Sequence, residues 1–158
     1  MKIEYNNLYT HFIPITIGTT LHRLPAIEEK HRQRIEKYIT GIVNNNDSHL
    51  YSIYANSGHV HSLISRSPKL SEESVATPAY SGTESSQRFI NENKLCAAYF
   101  AWQDSASAFS VSKSDADKVC KYILNHPEHH RKVSFQEEYE AFIKFYQKTL
   151  QPFGKHQK

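Results

Sequence analysis

His59-Val60-His61 is the triplet in this chain whose residue types and spacing most directly suggest chemistry. Side chains alternate between the faces of a β-strand, so residues two apart share a face. Two imidazoles on one face can chelate a divalent ion. With ten histidines among 158 residues, a His-hydrophobic-His triplet arises by chance in roughly one such sequence in four, so the pair carries weight only with partners. Tyr122 and His126 are candidates, because residues four apart share one face of a helix. If that face packs on the His59/His61 strand, three nitrogens and a phenol converge. Such a set suits phosphoryl transfer: a metal polarises a phosphodiester and stabilises charge in the transition state, while the tyrosine attacks phosphorus and becomes covalently linked. A phenol with pKa near ~10 needs a nearby cation to act as a nucleophile at neutral pH, and a metal supplies one.

The elements that must position these groups are legible from pattern. Leu8 to Ile17 is rich in aromatic, β-branched and threonine residues and predicts a strand, with Pro14 better suited to an edge or a bulge. After Pro25, apolar residues Ile27, Ile35, Ile39, Ile42 and Val43 recur at helical spacing, acids Glu28 and Glu29 open the segment, and Asn44 to Asn46 end it. HLYSIYA and HVHSLIS are β-rich and flank Asn56-Ser57-Gly58, which predicts a hairpin. Ser71 to Asn93 predicts a second helix, capped by Ser71 and interrupted by Pro78 and Gly82. AYFAWQDSASAFSVS predicts a strand with a bulge. Ser114, followed by Asp115 and Asp117, opens the helix KVCKYILNH, which Pro127 stops or bends. A last helix begins at Ser134 with a capping box to Glu137.

Composition narrows the classes. The length fits about one domain and is too short for an eight-fold α/β barrel of roughly 250 residues. The expected organisation is a single domain over residues 1–150 and a basic tail over 151–158. Lys+Arg 19 against Asp+Glu 16 gives +3, so a nucleic-acid site would be a local patch. Cys96 and Cys120 match no zinc spacing, and with no signal peptide or membrane span in the pattern the expected setting is the cytoplasm. The four aspartates, Asp47, Asp104, Asp115 and Asp117, all lie away from the histidine strand, which disfavours a carboxylate two-metal nuclease. No glycine-rich phosphate loop is present.

A wider set of segments resembles the small single-tyrosine transposases of the HUH class, which include insertion-sequence and REP-associated members. The carrying residues are His59-Val60-His61-Ser62-Leu63-Ile64-Ser65, Phe100-Ala101-Trp102-Gln103, Ala108-Phe109-Ser110-Val111-Ser112, Tyr122-Ile123-Leu124-Asn125-His126 with Glu128-His129-His130, and Ser134-Phe135-Gln136-Glu137-Glu138-Tyr139. Their order and spacing match from Tyr9-Thr10-His11 onward. The resemblance implies an α+β fold, an antiparallel sheet with helices packed on one face, ferredoxin-like or RRM-like. It implies that His59 and His61 bind a divalent metal, Mg²⁺ or Mn²⁺, and that Tyr122 is the nucleophile. The family cleaves single-stranded DNA with hairpin ends, leaving a 5′-phosphotyrosine and a free 3′-hydroxyl that later reverses the linkage. It usually works as a homodimer, often with the tyrosine helix of one subunit serving the histidine pair of the other, and uses no nucleotide cofactor.

Three departures from the family pattern matter. His126 stands where a Gln is usual, and imidazole shifts preference from Mg²⁺ toward Mn²⁺ or Zn²⁺. Ser105-Ala106-Ser107 replaces a Gly-Tyr-Gly-type turn. Gly58 replaces an acidic or polar residue, and Pro78 and Gly82 interrupt the second helix. These keep two alternatives open: a domesticated or inactive DNA-binding relative, and a three-histidine zinc hydrolase whose nucleophile is water. Trp102 reads as core or dimer interface before it reads as a base-stacking residue. His129 and His130 read as solvated. Lys144, Lys148, Lys155 and Lys158 form either a phosphate-tracking face or a frayed tail.

Overall fold

The computed structural model describes residues 1, 8–16, 27–80 and 85–125, together with 137, 140, 141, 143 and 144. The chain forms two compact units, residues 1–124 and 125–158. In the second, Glu137, Glu140, Ala141, Ile143 and Lys144 are helical, within the segment predicted as the last helix; its cap at Ser134 lies outside the described residues.

The first unit runs β1 (Tyr9–Thr16), α1 (Glu29–Asn45), β2 (His49–Ala55), β3 (Val60–Ser65), α2 (Glu72–Tyr80), α3 (Ser86–Glu92), β4 (Trp102–Val111) and α4 (Ala116–Leu124). The strands form one antiparallel sheet in the order β2-β3-β1-β4. The fold is α+β, with four helices packed against the sheet. Alternation along the strands assigns each face. Phe12, Val60 and Ile64 join Ile35, Ile39 and Val43 of α1, Val75 and Ala79 of α2 and Ile90 of α3 in the larger core. Leu63 and Val111 join Val119 and Ile123 of α4 in a smaller one. The expected one-face packing therefore describes α1, α2 and α3, while α4 lies on the opposite face.

Local chemistry explains the elements. Ile35, Ile39 and Val43 recur every four residues and are fully buried, giving α1 its core stripe. Arg32 bridges Glu29 and Glu36, and Glu36 accepts the Ala55 N–H, which ties α1 to β2. The asparagine run ends the helix: the Asn46 side chain donates to the Ile42 carbonyl, and Asn44 accepts the Leu50 N–H. Asp47 then takes a left-handed φ of 55°, a conformation that aspartate tolerates.

The predicted second helix is two helices. Ser71 does cap α2, its Oγ accepting the Ser74 N–H at 3.1 Å. Pro78 has no N–H to offer the ladder, and α2 ends at Tyr80. β1 is a central strand, but its pairing with β3 ends at Phe12 and Pro14 is paired only with Ala106 of β4, so the proline sits where the strand is locally one-sided. The irregularity it suggested is real: between the pairs Pro14↔Ala106 and Thr16↔Trp102, β4 advances further than β1, which places the bulge on β4. Ser105-Ala106-Ser107 continues this strand rather than forming a turn. Trp102, buried in the larger core, donates its indole N–H to Ser86 Oγ at 2.9 Å, and Ser86 donates to the Ala79 carbonyl. That chain ties the start of β4 to α2 and α3. Among the described residues, no helix is long and apolar enough to cross a membrane.

Candidate active site

The hairpin from β2 to β3 sets the histidine pair. Asn56 N–H bonds the His59 carbonyl at 2.9 Å and closes the turn. From there the backbone enters β3, with Val60 directed to the larger core and His61 and Leu63 to the α4 side. His59 and His61 are 2% and 1% exposed, and their ring centres lie 5.0 Å apart at an interplanar angle of 80°. Metal–nitrogen bonds of about 2.1 Å are compatible with that spacing for two imidazoles turned toward one ion. The donor set, two neutral imidazoles without a carboxylate, suits borderline divalent metals. The residues present thus fit a metal ion as a two-nitrogen platform that needs a further ligand. Among the described residues no group of three or more His, Cys, Asp or Glu is arranged to hold one. His126, expected to complete the set, lies outside the described residues.

A third imidazole belongs to the cluster. His11 of β1 is fully buried, and its Nε2 lies 2.9 Å from His61 Nδ1. In the sequence, His11 marks only where the resemblance begins. Its position follows from register, because β1 pairs His11 with Leu63, two residues from His61 on the same face. Strand composition announces β1 but cannot say which strand lies beside it.

The α4 helix brings the phenol. Asp115 and Ser112 build the turn before it, through the Asp115 N–H to the Ser112 carbonyl and Ser112 Oγ to Asp115. The first helical residue is Ala116, so the start falls slightly later than Ser114 suggested. Val119 and Ile123, four apart, are buried against Leu63 and Val111. Tyr122 is adjacent to that stripe and half-buried, and its ring centre lies 6.0 Å from that of His61 at 75°. Lys118 and Lys121 are exposed on the same helix.

A second tyrosine lies beside the histidines. Tyr54 of β2 pairs with His61 in register and sits under the Arg32 guanidinium, 4.7 Å from its ring centre. Burial first, and then Glu29, push its phenol up, which keeps it protonated. A cavity of about 370 Å³ on the opposite sheet face is lined by Phe12, Tyr80, Glu72, Glu73 and Asp104 among others; its three acids repel a polyanion. Lys144 is helical and exposed. His129, His130, Lys148, Lys155 and Lys158 lie outside the described residues.

Residues 4–126 match the family model described as "Transposase IS200 like". No curated protein is significantly similar in sequence. A crystal structure of a protein from Deinococcus radiodurans R1, provisionally assigned as a transposase, superposes with a TM-score of 0.51 at 16% identity, covering 79% of this chain and 97% of the other. That likeness supports the fold.

Proposed function

This chain belongs to the IS200-like transposase family, and from that premise we propose that it cleaves and rejoins single-stranded DNA through a 5′-phosphotyrosine link at Tyr122. The observation that carries the reading is the meeting of the His59/His61 pair with the Tyr122 ring on one sheet face.

His59 and His61 would hold a divalent ion from β3, with His126 as the further ligand. When bound, that ion supplies a positive charge that polarises the scissile phosphate and favours the tyrosinate. Tyr122 Oη attacks phosphorus and loses its proton; the bond from phosphorus to the 3′ oxygen breaks, and that oxygen takes up a proton as the 3′-hydroxyl. The new phosphotyrosine conserves the phosphodiester energy. Rejoining is the reverse, with a 3′-hydroxyl attacking phosphorus and Tyr122 leaving. Burial of the histidines excludes competing water from their side of the site, while half-buried Tyr122 remains open to a strand.

Residues 1–150 would act as the catalytic unit, with 151–158 as a basic tail. The substrate is single-stranded DNA with hairpin ends. A homodimer is supported by β4, a ten-residue strand on the sheet edge whose exposed small residues Ala106 and Ala108 permit close approach of a second chain.

The test is incubation with Mn²⁺ and end-labelled single-stranded oligonucleotides carrying hairpins, followed by denaturing electrophoresis. A protein–DNA adduct that Tyr122→Phe abolishes supports the reading. Cleavage without an adduct would favour the zinc hydrolase, and binding without cleavage the domesticated relative.

A further inference from the structure

We propose that His11 is a positioning residue that fixes the tautomer and orientation of His61, holding the His61 Nδ1 proton so that Nε2 presents its lone pair; this rests on the metal-pair reading of His59 and His61.

The geometry allows two arrangements. His11 Nε2 and His61 Nδ1 stand 2.9 Å apart inside the protein, and one proton lies between them. A neutral imidazole has one protonated and one unprotonated nitrogen. If His11 donates, His61 Nδ1 accepts and its Nε2 carries the proton, which blocks ligation there. If His61 donates, its Nε2 is unprotonated and can ligate, while His11 carries its own proton on Nδ1. Only the second arrangement makes His61 and His59 a chelating pair, because Nδ1 of His61 is already engaged.

The surroundings suit His11 to this task. It is 0% exposed and held on a central strand, opposite Leu63 on one side and Phe109 on the other. The Phe109 ring centre lies 6.4 Å from its own, which limits swinging. A ligating histidine ordinarily gives its other N–H to a carboxylate, carbonyl or water. A neutral imidazole in that place orients His61 without adding a negative charge, so the bound cation keeps its charge for the phosphate and the Tyr122 oxygen.

The tautomer can be read in the metal-free, chelator-treated full chain by long-range ¹H–¹⁵N NMR of the His61 ring, without any variant or activity. The expected state is Nδ1–H with Nε2 unprotonated; a predominant Nε2–H form overturns the proposal. Calorimetric titration with Mn²⁺ alone gives the second readout. His11→Phe should weaken binding about 10- to 100-fold, and His11→Gln, whose amide oxygen can accept the same proton, should recover most of it. Equal affinity in His11→Phe, or a His11→Gln variant no better than His11→Phe, contradicts the role. His59→Ala separates the two levels: its loss of Mn²⁺ binding alongside unchanged binding in His11→Phe overturns this inference and leaves the metal pair standing, whereas no binding by the wild-type chain overturns both.

Discussion

The ring of Tyr122 lies 6.0 Å from that of His61 within one chain. The contact is built by α4, whose Val119 and Ile123 pack with Tyr54 of β2 and Leu63 of β3, so packing within the chain brings the Tyr122 ring beside that of His61. If chemistry uses this arrangement, each subunit is complete. Mixing Tyr122→Phe protein with His61→Ala protein should then leave adduct formation at the level of either variant alone. Restoration in the mixture would show that the tyrosine helix serves the partner's histidines.

Ile123 anchors that helix and is fully buried. Ile123→Ala should lower stability by about 2–5 kcal/mol, measured by urea unfolding. Because Tyr122 is its neighbour, adduct formation should fall further than the folded fraction accounts for. A loss of activity that tracks the folded fraction alone would mean that α4 does not position the phenol.

The buried Tyr80 hydroxyl, bonded to Ser62 at 3.2 Å, has its pKa pushed up by burial to about 12. An unfolded tyrosine ionises near ~10. Between these values the unfolded chain loses a proton that the folded chain retains, so stability is full below pH ~10 and falls as pH rises toward 12. Tyr80→Phe should flatten that part of the alkaline loss in denaturation measured across this window. An unchanged slope would show that Tyr80 ionises freely in the folded chain.

His126 in place of the usual amide should move metal preference toward softer ions. Initial rates of adduct formation with Mn²⁺ should exceed those with Mg²⁺ at matched concentrations, and His126→Gln should narrow the gap. Equal rates in the native chain would remove His126 from the metal's ligands.

Much of this arrangement was legible in the residues. Ile35, Ile39 and Val43 announced α1, and the Asn56-Ser57-Gly58 turn between two β-rich runs announced the hairpin that carries the histidines. Alternation correctly put His59 and His61 on one face. Other features depend on distant pairing. Nothing local in Tyr9-Thr10-His11 says that β1 will lie beside β3, so His11 went unrecognised as His61's partner. The same gap hid which face α4 would cover, since an amphipathic helix reveals its apolar stripe but not the sheet face it meets. Pro78 signalled a disturbance, yet it lies inside α2, which runs on to Tyr80, and the expected single helix is two, α2 and α3.

The central claim is that Tyr122 becomes covalently joined to DNA, and peptide mapping tests it most directly. Trypsin cuts after Lys121 and Arg131, releasing a peptide from Tyr122 to Arg131 whose only tyrosine is Tyr122. After reaction with Mn²⁺ and a single-stranded hairpin oligonucleotide, followed by nuclease trimming, mass spectrometry should find a 5′-phosphonucleotide on that peptide, at Tyr122. An adduct mapped to another tyrosine, or cleaved DNA with this peptide unmodified, would contradict the account.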